Sequence, residues 1–178
     1  LFISFARNKK WDCGITTNGF LAGLVAITAP CYWVNSVGAV LIGGIAAVVM
    51  YLGVELLEYL RIDDPIGAWP VHGLCGIFGT LAVGLFATGD FGIAGPTGMD
   101  TSTGVVTGLF YGGGTDQLVA QTIGSASMTI TCFVVALAMM FALKGAKVLR
   151  VDADIEQEGI DIGEHGAPSY HWDFGSSG

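Results

Sequence analysis

The sequence predicts an all-α polytopic membrane protein. Two observations lead there. The chain of 178 residues is 52% hydrophobic and only 12% charged, where soluble domains average about 25% charged. Its uncharged runs are also long: residues 13–54, 65–89 and 117–143 contain no Lys, Arg, Asp or Glu. A helix crosses a hydrocarbon core of about 30 Å with about 20 apolar residues. The first run holds two such helices and the others one each. The commonest residue, Gly at 28, suits closely packed membrane helices.

The elements follow in order. Residues 1–6, Leu-Phe-Ile-Ser-Phe-Ala, are apolar but stop at Arg7. They are too short for a span or a signal peptide. They read as the end of a transmembrane helix whose beginning lies upstream, so the chain is expected to be the C-terminal part of a longer protein. Pro30 and the Tyr-Trp-Val-Asn-Ser stretch mark a turn with interfacial aromatics, which places the first two spans near 15–33 and 37–57. The third span covers 65–87 and the fourth 117–143. The segment 88–116, rich in Gly, Thr and Asp, is expected to be an extracytoplasmic loop. Its Gly112-Gly113-Gly114 follows no strand and carries no phosphate-binding Lys. The transmembrane region thus runs over 7–144, and 145–178 form an acidic cytoplasmic tail.

Orientation follows from the seven basic residues. They are Arg7, Lys9 and Lys10; Arg61; and Lys144, Lys147 and Arg150. With four spans all of them fall on one side, and the positive-inside rule makes that side cytoplasmic. The net charge of -8 opposes nucleic-acid binding and resides mostly in the tail. Small residues recur at packing intervals: Gly19 and Gly23; Ala39, Gly43 and Ala47; Gly73, Gly76 and Gly79.

The four cysteines, Cys13, Cys31, Cys75 and Cys132, show no zinc spacing and read as small packing residues. His72 and Cys75 lie one turn apart, but two ligands are too few for a closed metal site. No cofactor is expected. No nucleophile–base set appears either, so an enzyme is not expected.

His72 is the informative side chain. It lies inside the uncharged third span, where an ionisable group is costly and marks function by default. Asp64 is placed to cap this span with Pro65 at the first helical position. His72 then sits eight residues on, or about 12 Å at helical rise, near the bilayer midplane. Pro70 is expected in the second turn, bending the helix. Gly73 would keep space open beside His72. A neutral imidazole offers one donor and one acceptor, so it can bind ammonia or relay a proton. The alternative is a histidine bonded to a neighbouring helix. His165 and His171 read as surface or docking residues of the tail.

These residues carry a resemblance. The stretch from Asp63-Asp64-Pro65 through His72-Gly73-Leu-Cys75-Gly76-Ile-Phe-Gly79 closely resembles the ammonium transporter (Amt/Mep/Rh) family. Asn18-Gly-Phe-Leu-Ala-Gly-Leu-Val-Ala-Ile-Thr28, Gly108-Leu-Phe-Tyr-Gly-Gly, and the tail motifs Leu149-Arg150-Val, Glu158-Gly159-Ile-Asp161 and Glu164-His165-Gly166 resemble it too. The tail favours the Amt branch.

The resemblance implies the C-terminal part of an eleven-span, homotrimeric plasma-membrane fold: four full transmembrane helices, the end of another, and a cytoplasmic tail. It implies ammonium/ammonia as substrate, moving through a narrow apolar pore. His72 would be one of two pore histidines, the other lying upstream. Ala68 would occupy a pore-facing position, its small side chain widening the cytoplasmic side, and Thr28 would be a further pore liner. Asp64 and Pro65 would be structural. Arg150, Gly159, Asp161 and His165 would belong to a regulatory tail, beside the docking site of a PII-type signalling protein. An ammonium sensor on the same fold and an Rh-like gas channel are the alternative functions.

Overall fold

A computed structural model describes residues 1–92 and 105–169. They fall in two units, Leu1–Thr129 and Ile130–Gly178. The first holds α1 (Phe2–Asn8), α2 (Cys13–Thr28), α3 (Ser36–Leu60), a wide π-type turn (Trp69–Leu74) running into α4 (Cys75–Phe86), and strands β1 (Thr88–Gly92) and β2 (Val105–Thr107). A 3-10 turn (Leu109–Tyr111) and the first part of α5 (Asp116–Gly145) complete it. The second holds the rest of α5, then α6 (Ala153–Glu158) and α7 (Ile160–His165).

Arg7 of α1 donates to Glu55 of α3 at 2.7 Å and lies over the Tyr51 ring. Trp11 stacks on Phe5 at 4.1 Å. Asp12 then starts α2, its carboxylate accepting from the Ile15 amide at 2.9 Å. α2 stops at Thr28, five residues short of the expected end. Pro30 disfavours helix at the residue before it, and its carbonyl accepts from the Trp33 and Val34 amides, closing a turn. At 16 residues α2 is about 24 Å long. Only three helical segments among the described residues are long and apolar enough to cross a membrane: Ser36–Leu60, Trp69–Phe86 and Asp116–Gly145. Asn35 caps α3 through the Gly38 amide at 2.9 Å.

Small residues let α2 and α3 approach. A Cβ built on Gly23 would lie 3.8 Å from the Gly43 Cα. Around this contact Ala22, Ala26, Ile42 and Ala46 are fully buried, and Met50 nearly so. α4 docks on α2 still more tightly. A Cβ on Gly79 would lie 2.4 Å from the Ala26 carbonyl oxygen, so only Gly permits this backbone-on-backbone contact. Gly84 gives similar room to Leu118, whose Cα would lie 2.5 Å from an added Cβ.

The start of the third span differs from expectation. Pro65 does not open a helix. The Gly67 amide donates to the Asp64 carbonyl at 3.1 Å, closing a turn over Pro65 and Ile66. Gly67 has φ +68, a left-handed conformation that favours glycine. The helical stretch starts at Trp69, which makes Pro70 its second residue. A proline nitrogen there forfeits no intrahelical bond, so Pro70 does not break a second turn. The turn itself is wide: the Cys75 amide donates to the carbonyls of Pro70 and His72. Only the four steps from Ala68 to His72 rise helically, about 6 Å, in place of the 12 Å expected from Asp64.

The segment after α4 is not all loop. β1 pairs antiparallel with β2, Thr88 opposite Thr107 and Gly92 opposite Val105. The β-branched Val105-Val106-Thr107 run suits a strand. Residues 93–104 lie outside the described residues. Gly113, within the glycine triplet, would place a Cβ 1.9 Å from the Thr107 carbonyl oxygen, so its role is close packing.

In the second unit, α5 ends at Gly145, and Lys147 just past it has φ 60. The Lys147 amide donates to the Lys144 carbonyl and the Val148 amide to that of Leu143, a closure that normally uses Gly at the left-handed position. Arg150 then pairs with Glu156. Gly159, at φ +107, separates α6 from α7, and Gly163 would place a Cβ 2.6 Å from Ile155. The Asp161 carboxylate accepts from the Ser169 amide at 2.9 Å. This bond above all holds its carboxyl below the ordinary 3.8. His171 lies outside the described residues.

Three outcomes follow from this packing. Gly79→Ala pushes a methyl into the α2 backbone and should cost about 1–3 kcal/mol. Gly44→Ala, with no described atom within 4 Å of the added one, should cost less; thermal unfolding of the full-length protein in detergent compares the two. Asp64→Ala removes a cap and should cost about 0.5–2 kcal/mol, read the same way. The depressed Asp161 carboxyl contributes order that is full above its ordinary value of 3.8 and lost as pH falls through the lower folded value. The protection of the Ser169 amide from hydrogen exchange, taken relative to the intrinsic rate at the same pH, should therefore fall in acid, and Asp161→Asn should weaken that fall.

Candidate functional site

The site begins with Asp64. Its two carboxylate oxygens accept from the Ala68 amide at 2.8 Å and the Trp69 amide at 2.9 Å. They satisfy orphan donors at a helix start and place negative charge at the positive end of the helix dipole. Asn18 of α2 supports the same entrance, its side-chain amide donating to the Ile66 carbonyl at 2.9 Å. A Cβ on Gly67 would lie 2.8 Å from the Asn18 amide nitrogen. The Asn18 role was absent from the sequence reading. The one signal for it is a polar side chain in an otherwise apolar run, one helix away from Asp64.

Ala68 and His72 are both exposed in this chain, and four residues apart they share a face. Among the described residues the imidazole has no hydrogen-bond partner. The neighbouring-helix bond weighed for it is therefore absent from this part of the structure. Cys75 points elsewhere: it is fully buried and its thiol lies 3.5 Å from the Ala46 carbonyl, as donor. His72 and Cys75 therefore do not converge, and no described group of three or more His, Cys, Asp and Glu is placed to hold a metal ion. Gly73 makes room, but for the Trp69 indole, whose Cδ1 would lie 2.8 Å from an added Cβ.

Thr28 is not beside His72. The Gly79–Ala26 contact sets the register between α2 and α4, and Thr28 lies beyond it. Gly79 is itself seven residues, about 10 Å, past His72. The Thr28 hydroxyl donates to the Leu24 carbonyl at 2.8 Å, leaving its lone pairs as acceptors.

A cleft of about 670 Å³ opens at the Asp64 end, lined by Asp12, Thr17, Asn18, Glu58 and Asp64 among others. A smaller one, about 170 Å³, adjoins it with Glu58, Asp63, Asp64 and Pro70 in its wall. His72 lines neither. In the second unit the tail residues Arg150, Gly159, Asp161 and His165 gather in one short helical hairpin: Arg150 on Glu156, Gly159 at the joint, Asp161 on Ser169, and His165 ending α7.

Residues 1–170 match the sequence profile of the Ammonium Transporter Family. The ammonium transporter Amt2 of Archaeoglobus fulgidus is 40% identical over 168 residues, 94% of this chain and 35% of that protein. An ammonium transporter of Mycobacterium tuberculosis is 39% identical over 153 residues, 86% of this chain and 31% of its own length. The chain thus spans about a third of the curated relatives it matches. Among solved structures, a Sensor Amt Protein superimposes with a TM-score of 0.74 at 32% identity, covering 92% of this chain and 37% of that one. Mep2 of Candida albicans gives 0.71 at 28% identity, covering 86% and 33%. These matches and the apolar helices describe a helical membrane protein built as part of the Amt/Mep fold, and relatives named as transporters rather than enzymes. The chain belongs to the ammonium transporter family.

Proposed function

We propose that this chain forms part of a pore that carries ammonium or ammonia across the plasma membrane, with His72 among the groups that bind the substrate and relay its proton. The observation that carries the reading is the His72 imidazole. Among the described residues it stands exposed and without a hydrogen-bond partner, on a capped, wide turn inside an otherwise uncharged span, which leaves both ring nitrogens to a solute. A neutral imidazole accepts a hydrogen bond from ammonia at one nitrogen and carries a proton on the other. Ala68, on the same face, adds width without polarity. Thr28 lines the path at another level as an acceptor.

In this reading Asp64 and Pro65 build the entrance, and Gly73 seats Trp69. The protein is a homotrimer with the basic side and the tail in the cytoplasm. The Arg150, Gly159, Asp161 and His165 hairpin is a regulatory element, open to a PII-type signalling protein. The family membership and the uncharged spans support this reading.

An ammonium sensor on the same fold is the second reading, favoured by the likeness to the Sensor Amt Protein. The Gly159-Ile-Asp161 and Glu164-His165-Gly166 motifs weigh against an Rh-like gas channel.

His72→Ala in the full-length protein should cut methylammonium uptake by about 100-fold or more, the scale of proton-transfer positions, with the trimer unchanged on size exclusion. Unaltered uptake and selectivity would remove His72 from the pore. Current or uptake in vesicles holding the unaltered full-length protein identifies a transporter, whereas ammonium binding without flux identifies a sensor.

A further inference from the structure

The end of α5 carries a group of charges that the transport reading does not use. Among the described residues, Lys144, Lys147 and Arg150 line a cleft of about 430 Å³ together with Leu149. All four are exposed. Among the described residues neither Lys144 nor Lys147 has a side-chain hydrogen bond or ion pair. Arg150 has one carboxylate partner, Glu156. Three cations and one anion leave the group at about +2.

Two explanations internal to the fold fall short. Cations in a last helical turn complement the helix dipole; that accounts for Lys144 alone, because Lys147 and Arg150 lie past the helix end. Packing accounts for none, since the cations are solvent-facing. Lys147 also occupies a left-handed position, φ 60, where Gly closes a helix more cheaply. That conformation turns the chain back, so that side chains three apart in sequence line one cleft.

We propose that this cleft binds the phosphate headgroup of an anionic membrane lipid. The position fits. α5 is an apolar helix of 30 residues, long enough to cross a bilayer, and the cluster lies at its end, where headgroups begin. Leu149 lines the cleft and Val148 beside it is 67% exposed, so the cations sit among apolar side chains suited to the acyl region. Basic residues just outside a span attract anionic lipids. A phosphomonoester near -2 matches the net charge and offers three acceptor oxygens, against which Lys acts as a point charge and Arg as a fork.

The test uses the full-length protein in neutral detergent, with dioctanoyl phosphatidic acid and dioctanoyl phosphatidylcholine as probes and native mass spectrometry of the intact assembly as readout. Phosphatidic acid should bind in preference to phosphatidylcholine. Lys144→Gln/Lys147→Gln should lower that preference about 30-fold, at about fivefold per juxtamembrane cation. Lys9→Gln/Lys10→Gln, which removes as much charge elsewhere, should leave it unchanged. Lys144→Arg/Lys147→Arg keeps the charge and should keep the preference, and it stands in if the neutral variant fails to assemble, 0.5 M salt then supplying the loss. An equal fall in both neutral variants overturns the site, and so does an undiminished preference in Lys144→Gln/Lys147→Gln. Displacement of the lipid by millimolar inorganic phosphate overturns the lipid as occupant. No arm reads ammonium flux, so the outcome is independent of the role of His72.

Discussion

Asp64 bonding to the Ala68 and Trp69 amides is the contact on which the candidate site depends. A helix start inside a membrane protein leaves amides without partners, and in an apolar setting each is expensive. One carboxylate satisfies two of them. It also fixes where helix begins, which decides that Pro70 falls at a harmless position ahead of the wide turn. The Gly67 turn and the Asn18 amide hold the approach to that start. Every later residue of the third span, His72 included, takes its direction from this point.

The second constraint is the absence of side chains where helices cross. Gly23 on Gly43 and Gly79 on Ala26 bring backbones together, so that dispersion and shape rather than water exclusion hold the helices. The Gly79 contact does more than pack. It sets how far α4 has slid along α2, and so decides which residues share a level. Ala68 stays with His72, and Thr28 is left further along.

Much of this was legible in the chain. The uncharged runs located α3, the third span and α5, because charge is what a bilayer excludes. His72 stood out for the same reason. What could not be read depended on partners distant in sequence or on backbone geometry. The true start at Trp69 follows from the positive φ of Gly67 and its contact with Asn18, neither visible in an Asp-Pro pair. The early stop of α2 was written in Pro30, but a hydrophobicity window does not register the restriction that proline places on the residue before it. Val105-Val106-Thr107 sat in a segment whose glycines suggested loop. Gly73 was matched to His72 by proximity, whereas the structure gives its space to Trp69, one turn back. The separation of Thr28 from His72 requires the interhelical register, which no single helix encodes.

The wide turn has one more consequence, which concerns rotation. An α-helix turns about 100° per residue, and a π-type turn spends an extra residue on one revolution. Downstream, Gly79 is pinned against Ala26 and cannot rotate. Upstream, Asp64 pins the Ala68 and Trp69 amides. His72 lies between two fixed ends, and its bearing is set by the number of residues wound between them. Tightening that turn to ordinary α geometry would change the winding between the two anchors, so the imidazole could not swing without one of them letting go. The direction of the histidine is thus a matter of phase between the cap and the glycine contact, and no bond to the ring itself is needed to hold it.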